Sequence, residues 1–410
     1  MKKRDILLYI LFVLLSLSLF VPEYLQTFSL ISTYYQVSKV VIGFGLFLYL
    51  VISKKKLSAF NIVVISYFVY LTLITFLFNQ DLARILSISF SVISLSLFAE
   101  IGIKLNKKIF VNVVWAVLFV FCLINLITIM IYPSGMYTTV EWTEANGDFY
   151  SNLCWFLGFK NHHLRFILPL LFFSILRSFD SKNHHLFDIQ VLLSFFVAVA
   201  SSALGKSATV IIGTSVMVLF YFIFRFFGNH LEIRFVIGFN VVLFILLMIG
   251  SSGGELLLNI ADSLFDKAST LKERFNVWQR ALTSLENHLI FGFGRQPNQT
   301  KIAILGFNNT HNSFLETLYT GGLVGLGLFL WQLFMIVKPM DTIKSDYRLY
   351  NLISFTLFAF LIVSQSETAF FENSLFFLLT CAYFLPNEFN KTKSVERVRG
   401  PLNKYYRLGI

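Results

Sequence analysis

The residues able to do chemistry in this chain gather at the ends of apolar runs. His311 stands between amides in Asn308-Asn309-Thr310-His311-Asn312, directly before an apolar, glycine-containing segment. A neutral imidazole can take a proton from a sugar hydroxyl near neutral pH, which Lys and Arg cannot, and a nearby carboxylate or amide would fix its tautomer. Asn309, Asn312 and Glu316 are candidate partners by proximity. Cations head other apolar runs: Arg84, then His162, His163 and Arg165, then Lys206. Arg274, Arg280 and Arg295 precede His311, and Glu367 and Glu372 bracket the last hairpin. A set of Arg and Lys beside a membrane-bounded cavity suits a phosphate or pyrophosphate, because the guanidinium fork matches those oxygens and low-dielectric surroundings strengthen each contact. For Arg84 or Arg295 taken alone, a snorkelling side chain is the simpler account. Cys122, Cys154 and Cys381 lie far apart, and the His162-His163 pair has no Cys or second carboxylate at ligand spacing, so no metal site and no cofactor are expected.

These residues are positioned by an all-α, polytopic membrane bundle. At 410 residues, 56% hydrophobic and 13% charged, with a mean hydropathy of +0.72, the chain has more apolar surface than a soluble core could bury. Hydropathy places about twelve spans, near residues 5–21, 36–52, 60–78, 83–101, 109–132, 163–179, 187–203, 207–227, 233–250, 312–337, 350–365 and 369–386. With Lys2, Lys3 and Arg4 inside, every basic cluster (Lys54 to Lys56; Lys104, Lys107 and Lys108; Arg225 and Arg234; Lys338, Lys344 and Arg348; the tail from Lys391) falls on the cytoplasmic side. Orientation thus accounts for the formal net charge of +11 without a nucleic-acid partner. The resulting organisation is residues 1–250 as spans one to nine, 251–311 as a large extracytoplasmic loop, 312–386 as spans ten to twelve, and 387–410 as a basic cytoplasmic tail. Residues 133–162 form a second external segment. The first apolar run lacks a cleavage site of the A-x-A kind and reads as a retained span.

Within the large loop, Phe275, Trp278, Leu282 and Leu285 recur at helical spacing, predicting an amphipathic helix over 271–285. Arg274 and Arg280 are about 240° apart on such a helix and would not serve one phosphate together. Gly292-Phe293-Gly294 and Pro297 end the helix and turn the chain. In Gly321-Gly322-Leu323-Val324-Gly325 the G-x-x-x-G spacing is read as a packing feature that lets another helix approach.

The order of these features resembles the bacterial O-antigen ligase and O-antigen or capsule polymerase family. The resemblance rests on Lys272-Glu273-Arg274-Phe275-Asn276-Val277-Trp278, then Phe291-Gly292-Phe293-Gly294, then His311-Asn312-Ser313-Phe314-Leu315 running into the glycines, over about residues 271 to 330. Where such proteins often show Ser-Arg after a short outer loop this chain has Lys206-Ser207, a point charge instead of a bidentate fork; Gly158-Phe159-Lys160-Asn161-His162-His163 matches in part. The resemblance implies a metal-independent, inverting glycosyltransferase of the cytoplasmic membrane acting on its outer face. Its donor would be an undecaprenyl-pyrophosphate-linked glycan, with other polysaccharide assembly proteins as possible partners. His311 would be the general base and Arg274 the leaving-group contact, with Lys206, Arg165, Arg84, Arg280, Asn312, Glu316 and Glu367 binding pyrophosphate or glycan. A polymerase is preferred over a ligase. A lipid-linked oligosaccharide flippase or exporter, which would place cations deep within spans, and a non-catalytic scaffold are the readings from other classes.

Overall fold

The computed structural model describes residues 2–143, 148–179, 188–227, 230–251, 268–368 and 371–389. The chain is mostly helical: α1 (Lys3–Leu19), α2 (Glu23–Gln26), α3 (Ser29–Ile52), α4 (Ala59–Leu77), α5 (Leu82–Ile131), α6 (Leu164–Ser178), α7 (Ile189–Leu204), α8 (Ala208–Phe227), α9 (Ile233–Ser251), α10 (Ala268–Ser284), α11 (Asn298–Leu305), α12 (Ser313–Met335), α13 (Val337–Thr342), α14 (Tyr347–Ser364) and α15, residues 376–389. Among the described residues six helices are long and apolar enough to cross a membrane: α3, α4, α5, α9, α12 continuing through α13, and α14. The expected total of about twelve also counts the two arms of α5 separately, and adds α1, α6, α7, α8 and the helix at 376–389. The loop over 251–311 is described only from residue 268 and at 251, and the basic tail from residue 390 lies outside the described residues.

Helix α5 is not one rod. Asn106 has extended backbone (φ −161°, ψ 90°), and its side chain accepts the Ile109 amide at 3.1 Å, starting a second helical arm. Phe98 and Phe110 have ring centroids 5.2 Å apart, whereas a straight helix would separate them by about 18 Å at its usual rise. The two arms therefore fold back on each other and pack with α1, α3, α4, α6 and α7 around one large apolar core. On the other side α14 lies against α6, α8 and α9, and α12 against α4.

At one end of this bundle the segment after α5 forms an antiparallel hairpin, β1 (Tyr137–Thr143) with β2 (Asp148–Trp155), extended by the two-residue β3 (Gly158–Phe159). Tyr137 pairs with Cys154 and Thr143 with Asp148. The Trp155 indole donates to the Tyr132 carbonyl at 2.7 Å and fixes the hairpin to the end of α5. The all-α expectation does not contain this strand pair, which hydropathy does not distinguish from a polar connection.

The glycines of α12 act differently from the packing role their spacing suggests. Gly322 has φ 62° and ψ −164°, a conformation that only glycine adopts readily, and it interrupts the helix. The segment between α10 and α11 fills the interruption: Phe293 and Gly294 amides donate to the Tyr319 and Thr320 carbonyls, while Leu323 and Val324 amides donate to Leu289 and Ile290 carbonyls. A close approach does occur, but by this loop and by Tyr70, whose hydroxyl donates to the Gly321 carbonyl at 2.7 Å.

Candidate functional site

His311 lies at the entrance to α12, on a turn held from three sides. Its backbone is left-handed (φ 51°), uncommon for a residue with a side chain. Asn309 stabilises that conformation: its Oδ1 accepts the His311 amide at 2.8 Å and the Thr368 hydroxyl at 3.0 Å. Asn309 thus fixes the histidine's backbone through its oxygen. Asn312 is the N-cap of α12, accepting the Leu315 amide at 3.0 Å and donating to the Gln365 carbonyl at 2.9 Å. Thr310 between them donates its hydroxyl to the Asn312 carbonyl, and its own carbonyl accepts the indole of buried Trp278. The imidazole is half-buried, edge-on to Phe307 at 5.3 Å.

Glu316, one turn into α12, points back into this turn and not outward. Its carboxylate accepts the Thr310 amide at 3.2 Å and pairs with Lys301 of α11 and with Arg295 at 3.3 Å. Lys301 is fully buried, and burial pulls its ammonium down to about 8 while Glu316 opposes the drop. This buried triad supports the His311 turn from beneath. Arg84 belongs to the same side, since its guanidinium donates to Asn298 at the start of α11.

A second hydrogen-bonded chain joins loops far apart in sequence. The Ser207 hydroxyl donates to Asn161 Oδ1 at 2.6 Å, and Asn161 Nδ2 donates to Glu367 Oε2 at 2.7 Å. Thr368 then donates its amide to Glu367 Oε1 at 3.2 Å and its hydroxyl to Asn309. The Glu367 carbonyl accepts the Ser313 hydroxyl at 2.7 Å. The α7–α8 turn, the 3-10 turn before α6, the end of α14 and the start of α12 therefore meet at Glu367. Arg274 of α10 lies within electrostatic reach of this carboxylate: burial lowers its guanidinium and Glu367 counteracts the shift. Lys206, adjacent to Ser207, is exposed and left-handed (φ 51°) at the rim.

The remaining expected residues separate from this group. Arg165 donates to Glu23 of α2 at 2.9 Å, and His162 Nδ1 donates to the same oxygen at 2.6 Å. Burial would raise the Glu23 carboxyl, but His162 and Arg165 override it and hold the group at about 2. His163 is buried, and burial lowers it to about 4; the neutral ring reaches the Gly158 carbonyl at 3.2 Å and Asn125 at 3.4 Å. Arg280 lies on the exposed side of α10. Glu372 has no described side chain.

Sequence reasoning passed over Glu23, Lys301 and Thr368, together with Lys39 and Glu100 inside helices. The signal for the first was a lone carboxylate after Pro22 between two apolar runs, and for the second a lone lysine in an eight-residue helix beside Glu316. Lys39 is buried, donates to Ser87 at 2.6 Å and sits over the Tyr35 ring at 4.7 Å. Glu100 is buried against Lys104, Asn61 and Ser58.

Set beside known proteins, residues 190–330 match the family model described as O-antigen ligase. The matched stretch contains Lys206, Arg274, Arg280, His311, Asn312 and Glu316; Arg84, Arg165 and Glu367 fall outside it. Neither a curated protein nor a solved structure matches the chain.

Proposed function

We propose, proceeding from the O-antigen ligase match over residues 190–330, that this multi-pass membrane protein is a glycosyltransferase of surface-polysaccharide assembly. It transfers an undecaprenyl-pyrophosphate-linked glycan to a sugar hydroxyl on the extracytoplasmic face of the cytoplasmic membrane. The observation that carries the reading is the convergence at Glu367, which joins the His311 turn through Thr368 and Asn309, Lys206 through Asn161 and Ser207, and Arg274 through charge. A histidine near cations matches the demands of transfer from a pyrophosphate. One group must take a proton and others must meet the negative charge of the leaving group.

In this mechanism the acceptor hydroxyl oxygen attacks the anomeric carbon while the bond from that carbon to the pyrophosphate oxygen breaks. The hydroxyl proton passes to the His311 imidazole, and the lipid pyrophosphate leaves with the electron pair. Arg274 is the main contact for that departing charge, and Lys206 at the rim adds a second positive charge. Glu367 supplies compensating charge within reach of Arg274 and, with Asn309, Asn312 and Glu316, is a positioning residue. Arg165, engaged by Glu23, and Arg84, engaged by Asn298, act at a greater remove than Arg274. Attack from the face opposite the leaving group inverts the anomeric configuration.

A polymerase joins one lipid-linked repeat to another, and this is the activity we favour; the ligase reading, transfer to a different acceptor, is supported by the description of the matched family. A deletion strain separates them. Accumulation of single lipid-linked repeats is the polymerase result, whereas long polymer made but left unattached is the ligase result. If His311→Ala retained full polymer length and yield in stably inserted protein, the proposed role of the histidine would be wrong.

A further inference from the structure

The connection between α10 and α11 pairs its carbonyls within the protein and turns apolar side chains outward. The His288, Leu289 and Ile290 carbonyls accept the Gly292, Leu323 and Val324 amides at 2.7, 2.8 and 3.2 Å, and the Phe291 carbonyl, 3.2 Å from the Tyr70 hydroxyl, shares its proton with the nearer Gly321 carbonyl. The Gly292, Phe293 and Gly294 amides all donate to protein carbonyls. Yet Leu289, Ile290 and Phe291 are 44%, 57% and 52% exposed. Three adjacent exposed apolar side chains are costly in water and favourable in hydrocarbon, where carbonyls paired within the protein also lower the cost of leaving water.

The depth of the segment agrees. Its backbone pairs with α12 around Gly322, about 14 Å along the helix from Ser313 at the usual rise, and its Phe291 carbonyl meets Tyr70, about 12 Å along α4 from Phe78. Both lie well within a hydrocarbon layer of roughly 30 Å. Residues 287–294 contain no Lys, Arg, Asp or Glu, and the one ionisable side chain, His288, packs between Phe78 and Phe293 with ring centroids at 5.6 and 4.4 Å. Charge returns at Arg295, which is already bonded to Glu316.

We infer that Leu289, Ile290 and Phe291 form a re-entrant wedge whose side chains are embedded in the acyl chains of the bilayer leaflet on the His311 side. The wedge anchors the cap made by α10 and α11. Because α10 carries Arg274 and α11 carries Lys301 beneath the His311 turn, the wedge also sets the height of both groups relative to the lipid headgroups. The wedge stands on the membrane location of the chain and not on the transfer reaction, so either can fail without the other.

The test uses the full chain in lipid nanodiscs with an environment-sensitive fluorophore on Ile290→Cys, and on Leu289→Cys as a second position; the three native cysteines are buried. Gln299→Cys, exposed on α11, is the aqueous control. The wedge requires blue-shifted emission at 289 and 290, strong quenching by spin labels on the acyl chains and little by iodide, with the reverse at 299. Iodide quenching at 290 equal to that at 299 would place the loop in water and overturn the inference. So would self-quenching between two copies in one disc, which would assign the face to a second copy of the chain. Lipid quenching abolished by added undecaprenyl lipid would assign it to the substrate tail and overturn the bulk-lipid reading.

Discussion

At the scale of single residues, the proposed site divides into groups assigned to the reaction and groups that hold others still, and the two classes should respond differently to substitution. His311→Gln keeps polarity but loses the base, so transfer should fall by about 10²- to 10⁴-fold, the usual worth of a general base. Protein level and melting temperature in detergent should stay near wild type. Glu367→Gln keeps the bond from Asn161 but removes the charge beside Arg274; transfer of a lipid-linked donor in membranes should drop while Lys206→Ala costs less. Glu23 gives a pH-dependent outcome. Its carboxyl is held at about 2 by His162 and Arg165 against the effect of burial, so the folded state binds its proton less readily than the unfolded chain. The stability from this group is complete above about 4.5 and lost as pH falls toward about 2. Melting temperature between pH 5 and pH 3 should therefore decline in the wild type and decline less steeply in Glu23→Gln. The sequence singles out His311 and Arg274 as candidates because each combines an unusual residue type with an apolar context. Glu316 and Asn312 were legible as polar neighbours, but not as structural ones: whether a carboxylate faces substrate or a buried lysine depends on contacts across fifteen residues, which spacing does not encode.

At the scale of elements, the twelve apolar segments read from hydropathy each contain a helix, because long apolar runs have few alternatives in a bilayer. The amphipathic segment also formed as expected: α10 buries Phe275 and Trp278, and Leu285 after it is buried too. Two features were not legible, the hairpin β1–β2 and the break in α12. The glycine pairs at 292–294 and 321–322 look alike as turn or packing signals, and only their mutual contact shows that one accommodates the other. A Cβ on Gly322 would lie 2.3 Å from the Ile290 carbonyl oxygen, and one on Gly292 would lie 2.5 Å from the Gly322 nitrogen. Both meet backbone, at positive φ. A Cβ on Gly321 meets the tip of the Leu71 side chain at 2.8 Å, which can rotate away. Gly322→Ala and Gly292→Ala should each lose at least the roughly 1–3 kcal/mol of backbone strain, seen as a lower melting temperature and poor monodispersity in detergent, while Gly321→Ala is tolerated. Equal behaviour of all three would mean that the interlocked break is not the conformation in the membrane.

At the scale of the whole molecule, the charge distribution and the site make separate demands on orientation that agree. Lys54 to Lys56 follow α3, and Lys104 with Lys107 stands at the reversal of α5; both lie at the bundle end away from the β1–β2 hairpin, His311 and Glu367. Basic residues are retained on the cytoplasmic side, so the His311 end is expected outside, where a lipid-linked glycan awaiting transfer would be presented. Arg165, Arg295 and Arg84 at that end have local partners in Glu23, Glu316 and Asn298, and Arg274 lies within the field of Glu367, which would offset the cost of cations on an outer face. Cysteines introduced at Gln299 and at Lys55, one in each protein, separate the two faces. In intact cells with a permeable outer layer, a membrane-impermeant maleimide should label the first and leave the second unlabelled until the cytoplasmic membrane is broken. The opposite pattern would put His311 inside, and then neither the positive-inside reading nor transfer at the outer face could stand, although the contacts among His311, Asn309, Thr368 and Glu367 would be unchanged.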